Sequence, residues 1–195
     1  MLGAKGYGDE MDPRMDWALA QVDVRLSPLG RRRTHSRAVG QRAAAIGPTV
    51  VGDQAATLAL AATLHDIGYA PELATTGFHP LDGARFVRDE GYPDIAVLVA
   101  HHTGARNEAK LRGIPELEQE FPFEDSVLQR ALTYCDLTTD PDGRHTNVSD
   151  RTAEIICRYG DDHVVSRGIR IGLPEFLAIE NEIETILSGS RASTR

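Results

Sequence analysis

A histidine followed directly by an aspartate, His65-Asp66, closes a long apolar run that extends from Ala55 to Leu64. Burying an imidazole and a carboxylate side by side against such a segment is costly unless both find partners. A divalent metal ion satisfies both, because imidazole nitrogen and carboxylate oxygen are its commonest ligands. The other histidines strengthen this reading. Five of the seven in the chain fall between His35 and His102, each at or near the end of an expected helix.

The elements that would position these groups read as helices throughout. Asp12-Pro13 opens a first helix within Met11 to Leu29, with Pro13 at its first position. A second is expected from about Thr34 to Ile46, stopped by Gly47-Pro48. A third spans about Asp53 to Asp66, with Gly68 placed to cap it in a left-handed conformation. His79, followed by Pro80, is the expected N-cap of a fourth that Gly91 ends. Pro93 starts a fifth, from Asp94 to His102, closed by Gly104. Residues 105–123 are charged, contain two prolines and read as a loop with a short helical piece. Further helices are expected at about Glu124 to Leu137, Ser149 to Tyr159 and Leu173 to Leu187, and Asp140-Pro141-Asp142-Gly143 forms a strong turn. No segment alternates like a strand and nothing repeats. The expectation is an all-α bundle of seven to nine helices, one domain over 13–187, with a loose arm at 1–12 and a loose tail at 188–195.

Helical geometry indicates which way the ligand candidates point. At about 100° per residue, His35, Val39, Ala43 and Ile46 share one stripe, and Ile95, Leu98, Val99 and His102 another. His101 points about 100° away from His102. Leu128, Leu132 and Asp136 follow one line. Taken singly, His35 or His79 reads as an ordinary core histidine, Asp136 as a salt-bridge partner, and His101-His102 as a helix terminus facing its dipole. Six or seven such groups on the inward faces of one bundle require a common partner, and helical bundles build metal sites in this way. His145 and His163 lie in polar, loop-like contexts and receive no role.

Composition narrows the chemistry. The chain has 195 residues, 41 % hydrophobic and 26 % charged, with a formal net charge of −8. That acidic balance argues against stable nucleic-acid binding. Arg31-Arg32-Arg33 is a local exception, read first as a solvated helix start and second as a phosphate-attracting rim near His35. Cys135 and Cys157 lack metal-type spacing and read as free thiols of a reduced, cytoplasmic protein. No signal segment or membrane span is apparent, and the sequence does not specify an oligomeric state.

The ordered set His35, His65-Asp66, His79, His101-His102 and Asp136 resembles the HD-domain superfamily of metal-dependent phosphohydrolases. His65-Asp66-Ile67-Gly68 is similar to its signature. Phe78-His79-Pro80-Leu81-Asp82-Gly83-Ala84 and Val99-Ala100-His101-His102-Thr103-Gly104 resemble the accessory histidine motifs of its two-metal branch, and Leu132-Thr133-Tyr134-Cys135-Asp136 its closing aspartate motif. Tyr69 stands where several relatives carry a lysine. Gly91-Tyr92-Pro93 precedes the paired histidines, unlike the element of cyclic-di-GMP phosphodiesterases.

The resemblance implies that His35, His65, Asp66 and Asp136 hold one ion, and that Asp66 bridges to a second held by His79 and His102. Helix geometry favours His102 over His101 as that ligand, leaving His101 as a third-metal ligand or catalytic substrate contact. It further implies one or two divalent ions (Fe, Mn, or Zn, Ni or Co, with Mg as a substitute). The implied reaction is hydrolysis of a small phosphorylated, nucleotide-like substrate by a metal-activated water, with Asp66 central. Arg144 and Arg151 are phosphate-binding candidates, or equally exposed charges near a turn. A mixed-valent diiron oxygenase and a non-catalytic nucleotide-binding regulatory domain are the alternatives.

Overall fold

The computed structural model describes residues 12–192. Residues 1–11 of the expected arm and 193–195 of the expected tail lie outside them. Ten α-helices occur among the described residues, and the all-α bundle expected from the sequence is what the chain forms. α1 (Pro13–Arg25) starts as read: Asp12 caps it by accepting from the Arg14 N–H at 3.0 Å, and Pro13 occupies the first position.

α2 (Gly30–Val50) is longer than expected and runs straight through Gly47-Pro48. Proline disfavours a helical residue before it chiefly by clashing with that residue's Cβ and N–H, and Gly47 has no Cβ. Gly47 is also buried against Ala55, whose Cα lies 3.0 Å from where a Cβ would be. α3 (Ala55–Leu64) passes through the middle of the core, with every side chain from Leu58 to Leu64 buried. His65 terminates it and Asp66 leaves the helical region at φ −98°, ψ 8°.

Gly68 does not adopt the expected left-handed cap: it is absent from the positive-φ glycines and sits in a 3₁₀ turn, Ile67–Tyr69. Glycine is required there for a different reason. A Cβ at Gly68 would lie 2.1 Å from the His79 carbonyl oxygen and 2.5 Å from the Gly83 nitrogen, so only a bare backbone lets this turn meet α4 (His79–Asp89). His79 is the first helical residue of α4 and Phe78 its cap, one position from the expectation. Buried Asp82 fixes the preceding loop by accepting from the Thr75 hydroxyl at 2.7 Å and the Thr76 N–H at 3.0 Å.

α5 (Pro93–Ala100) ends at His101. A 3₁₀ turn, His102–Gly104, follows, with Thr103 at φ 37°, ψ 59° and Gly104 at φ 73°. The segment expected as a loop with a short helical piece contains two helices, α6 (Ala105–Arg112) and α7 (Glu116–Glu120). Their buried positions are few and mostly small, Ala105, Ala109 and Leu117, so the charged faces mask the pattern. α8 (Val127–Leu137) and α9 (Val148–Tyr159) are capped by Ser126 and Asn147, which accept from the N–H groups of Gln129 and Asp150. α10 (Val164–Ala192) is far longer than expected, continuing through Pro174 and most of the expected tail. Phe176 on α10 packs into the space left by Gly104 and Gly172, where a Cβ would lie 2.8 Å and 2.4 Å from its Cζ.

An ion-pair cluster ties α4 to α7. Glu120 accepts from Arg85 and, at 2.9 Å, from Arg88. Hydrogen bonding from Arg85 outweighs desolvation, and with Arg88 it holds the Glu120 carboxyl down at about 2 against an ordinary 4.5. A carboxylate lowered by folding stabilises above its unfolded pKa, and that contribution is lost as pH falls through the folded value. Glu120→Gln should therefore destabilise the protein at pH 7 by about 1 kcal/mol or less, since the cluster is partly exposed. In melting experiments the gap from the parent should close between pH 4.5 and about 2. A gap that stays constant across that window would remove the electrostatic explanation.

Candidate metal centre

Five elements converge on one point. α2 delivers His35, the end of α3 delivers His65 and Asp66, the start of α4 His79, the turn after α5 His102, and the last turn of α8 Asp136. Two groups of potential ligand atoms result, His35 with His65 and Asp66, and Asp66 with His79 and His102, each lying within 4.8 Å of one another. Asp66 belongs to both. Its Oδ2 lies 3.4 Å from His65 Nε2, while its Oδ1 lies 3.5 Å from His79 Nε2 and 3.7 Å from His102 Nε2. Asp136 Oδ1 joins the first group, 2.9 Å from His35 Nε2 and 3.6 Å from His65 Nε2.

Backbone carbonyls orient three of the rings. His35 Nδ1 meets the Asp140 carbonyl at 3.1 Å, His65 Nδ1 that of Ala62 at 2.7 Å, and His102 Nδ1 that of Val99 at 2.6 Å. A carbonyl only accepts, so each Nδ1 carries the hydrogen and each Nε2 turns toward the cluster, as ligating histidines do. The expected Asp140-Pro141-Asp142-Gly143 turn supplies one of these carbonyls. Asp140 closes it by accepting from the N–H groups of Asp142 and Arg144, both at 2.8 Å.

His65 Nε2 is fully buried with no hydrogen-bond partner. An orphaned imidazole nitrogen facing two carboxylates is the donor set a divalent cation uses, and the residues present fit such an ion.

The electrostatics are those of a dry, charged cluster. Burial opposes charge on His65, but Asp66 and Asp136 outweigh it and push the imidazole up to about 9. Burial likewise opposes ionisation of Asp66, yet Arg32 and His65 hold its carboxyl well below the usual carboxylate range. Burial pushes His79 well down despite Asp66, and pushes His102 down with His65 adding to it.

Several placements differ from the sequence reading. His101 does not reach the cluster. Its Nε2 donates to the Phe121 carbonyl at 2.6 Å and its ring meets Phe123 edge-on, so the structure does not bring it together with the other six ligand candidates. Consecutive residues at a helix end diverge by about 100°, and only His102 faces inward. Arg144 stands with its side chain 78 % exposed on the turn, 4.0 Å from Asp142, and does not line the cleft. Arg151 does line it and is buried.

Arg32 corrects the reading of the basic run as a solvated start. Its Nη1 lies 2.7 Å from Asp66 Oδ2 and its guanidinium sits 3.7 Å over the Tyr69 ring, which stacks on His79 at 3.8 Å. Thr103, Arg158 and Tyr159 are cleft residues that the sequence reading missed. The Thr103 hydroxyl donates to Asp136 Oδ2, which accounts for a β-branched residue holding a positive φ. Arg158 had a signal: it lies seven residues, two helical turns, beyond Arg151 on one face of α9.

The HD domain family matches residues 32–159. The chain belongs to that family, a superfamily of metal-dependent phosphohydrolases. The match begins at Arg32 and ends at Tyr159, both of which line the cleft. No curated protein and no solved structure matches the chain. Among the described residues, no helix is long and apolar enough to cross a membrane.

Proposed function

We propose that this protein hydrolyses a phosphoester or phosphoanhydride bond in a small phosphorylated, nucleotide-like molecule. The observation that carries this reading is the position of Asp66, whose two oxygens face two separate groups of histidine nitrogens. His35, His65, Asp66 and Asp136 would hold one divalent ion, and His79, His102 and Asp66 a second. Fe or Mn suits this nitrogen and oxygen set, as do Zn, Ni and Co, with Mg as a substitute. Such ions, when bound, supply water activation at neutral pH and stabilisation of charge on phosphoryl oxygens.

The remaining work falls to the chain. The carbonyl-tethered rings stay fixed while substrate enters and leaves. Arg32 and Arg151, on the cleft wall, bind phosphoryl oxygens through planar guanidinium forks. No nucleophilic side chain is required, and burial pushes the nearby Cys135 thiol up to about 12, which leaves it inert. The net charge of −8 fits small substrates in an aqueous compartment rather than duplex nucleic acid.

A diiron oxygenase could use the same ligands, but the arginines of the cleft wall favour phosphate chemistry. Anaerobic assay separates the two. Phosphate release with added Mn²⁺ or Fe²⁺ is expected to continue without oxygen. Product formation that stops without oxygen, with no phosphate released, would overturn the hydrolase reading. A purely regulatory nucleotide-binding role leaves the complete ligand set unexplained and requires no turnover under either atmosphere.

A further inference from the structure

The cleft over Asp66 continues past His35 into a recess of about 60 Å³ lined by Arg31, Arg32, His35, Pro141, Arg151 and Arg158. Four of these, Arg32, His35, Arg151 and Arg158, also line the cleft itself, so the two spaces are continuous. Arg151 is only 5 % exposed, yet its Nε is buried with no hydrogen-bond partner. Its Nη1 pairs with Glu154, and the same Glu154 carboxylate lies 3.6 Å from Arg158 Nε. Arg31 pairs with Asp142 at 2.9 Å, while Arg32 turns to Asp66. Three guanidiniums of the recess, Arg31, Arg151 and Arg158, therefore share two carboxylates, Asp142 and Glu154. A buried guanidinium N–H without an acceptor is costly, and an anion in the recess that Arg151 lines would offset that cost.

We propose that this recess is a second phosphoryl subsite and that the substrate is a phosphoanhydride. One phosphoryl group lies beside the Asp66 cluster and its neighbour in the phosphate chain lies against Arg151 and Arg158. The assignment rests on the hydrolase reading above and narrows it. A phosphomonoester leaves as an alcohol and gives this surplus of positive charge nothing to neutralise. A phosphoanhydride leaves as a phosphate, which guanidinium forks grip through paired hydrogen bonds. In the reaction, water oxygen bonds to the phosphorus beside Asp66 and the bridging P–O bond breaks. Its electron pair departs on the phosphate held by the arginines, and the proton lost from water is released with the products.

The test uses the full chain with excess Mg²⁺ and two probes, methylenediphosphonate, which is not hydrolysed, and inorganic phosphate, titrated by calorimetry. The diphosphonate should bind at least about tenfold tighter. Arg158→Gln, at a half-exposed position, should cut that preference by about threefold or more, and Arg151→Gln by at least as much. Arg151→Lys keeps the charge beside Glu154 without the fork, and serves should Arg151→Gln fail to fold; its preference should also drop. Equal binding of the two probes, or a preference that survives both Arg158→Gln and Arg151→Lys, would overturn the subsite. Hydrolysis of 4-nitrophenyl phosphate with no cleavage of a nucleoside diphosphate would likewise overturn it. Hydrolysis of neither, with the arginine-dependent preference intact, supports the subsite and overturns the hydrolase reading alone.

Discussion

Asp66→Ala should lose most of its bound metal and lower turnover by more than about a hundredfold, the scale on which removal of one preorganised charge-stabilising group acts. Among the described residues, Asp66 is the one side chain common to both ligand groups. Its Oδ2 faces His65 and its Oδ1 faces both His79 and His102, so truncation takes an oxygen from each group at once. It also strips Arg32 of its partner at 2.7 Å, leaving a guanidinium beside imidazoles with no anion between them. Asp66→Asn preserves shape and removes the charge, and should move metal content in the same direction with less risk to folding. The measurement is metal analysis of freshly purified protein, followed by Mn²⁺-dependent phosphate release. His145→Ala is the control: His145 meets Arg42 at 3.0 Å on another face, and its loss should leave metal content unchanged. Full metal retention in both Asp66 variants would move the site elsewhere.

The second large effect comes from a residue that binds nothing. Gly68→Ala would place a methyl group 2.1 Å from the His79 carbonyl oxygen and 2.5 Å from the Gly83 nitrogen. Both obstacles are backbone, so no side chain can swing aside, and α4 must move away from the turn after Asp66. Overpacking of this kind costs about 1–3 kcal/mol, and more where the neighbour cannot yield. The melting temperature should drop by several degrees. Because α4 begins with His79, metal stoichiometry should drop too, which a purely structural lesion elsewhere in the bundle would not cause. Gly30→Ala offers the contrast: nothing lies within 4 Å of a Cβ there, and the change should be neutral. A Gly68→Ala protein that melts with the parent would show that the turn and α4 are free to separate.

How much of this was legible from the residues depends on what each feature required. The six ligand candidates His35, His65, Asp66, His79, His102 and Asp136 could be read because each sits on an apolar stripe or at a helix end. The structure brings all six together. His102 could be separated from His101 by the rotation between neighbouring residues alone. Arg32 could not be separated from Arg31 and Arg33, because that depends on where α2 starts. With a start at Gly30 rather than Thr34, Arg32 stands three residues before His35 and shares its face. The 105–123 segment hid the extent of its helices because their buried residues are few and mostly small, and α10 overran its expected bounds at both ends, continuing through Pro174. At Gly68 a close approach of backbone, and not a left-handed cap, requires the glycine. Sequence shows that a glycine is present, but only tertiary contact shows whether a left-handed turn or a close approach demands it.

The crossing of α2 and α3 behaves as a lever. A Cβ at Gly40 would lie 2.2 Å from Thr63 Oγ1, so the two helices press together there, and they press again where Gly47 meets Ala55. On the near side of the Gly40 fulcrum, His35 and His65 hold their ring centroids 5.2 Å apart. At 1.5 Å per residue, the fulcrum lies roughly 7.5 Å from His35 and roughly 10.5 Å from Gly47. Prising the far end open by about 1 Å would pinch the histidine end by about 0.7 Å, by the ratio of these arms. The gauge of the ligand gap is thus set at both ends of a rigid beam, and a bulky residue at Gly47, well outside the cleft, would narrow the gap as surely as a change beside His35.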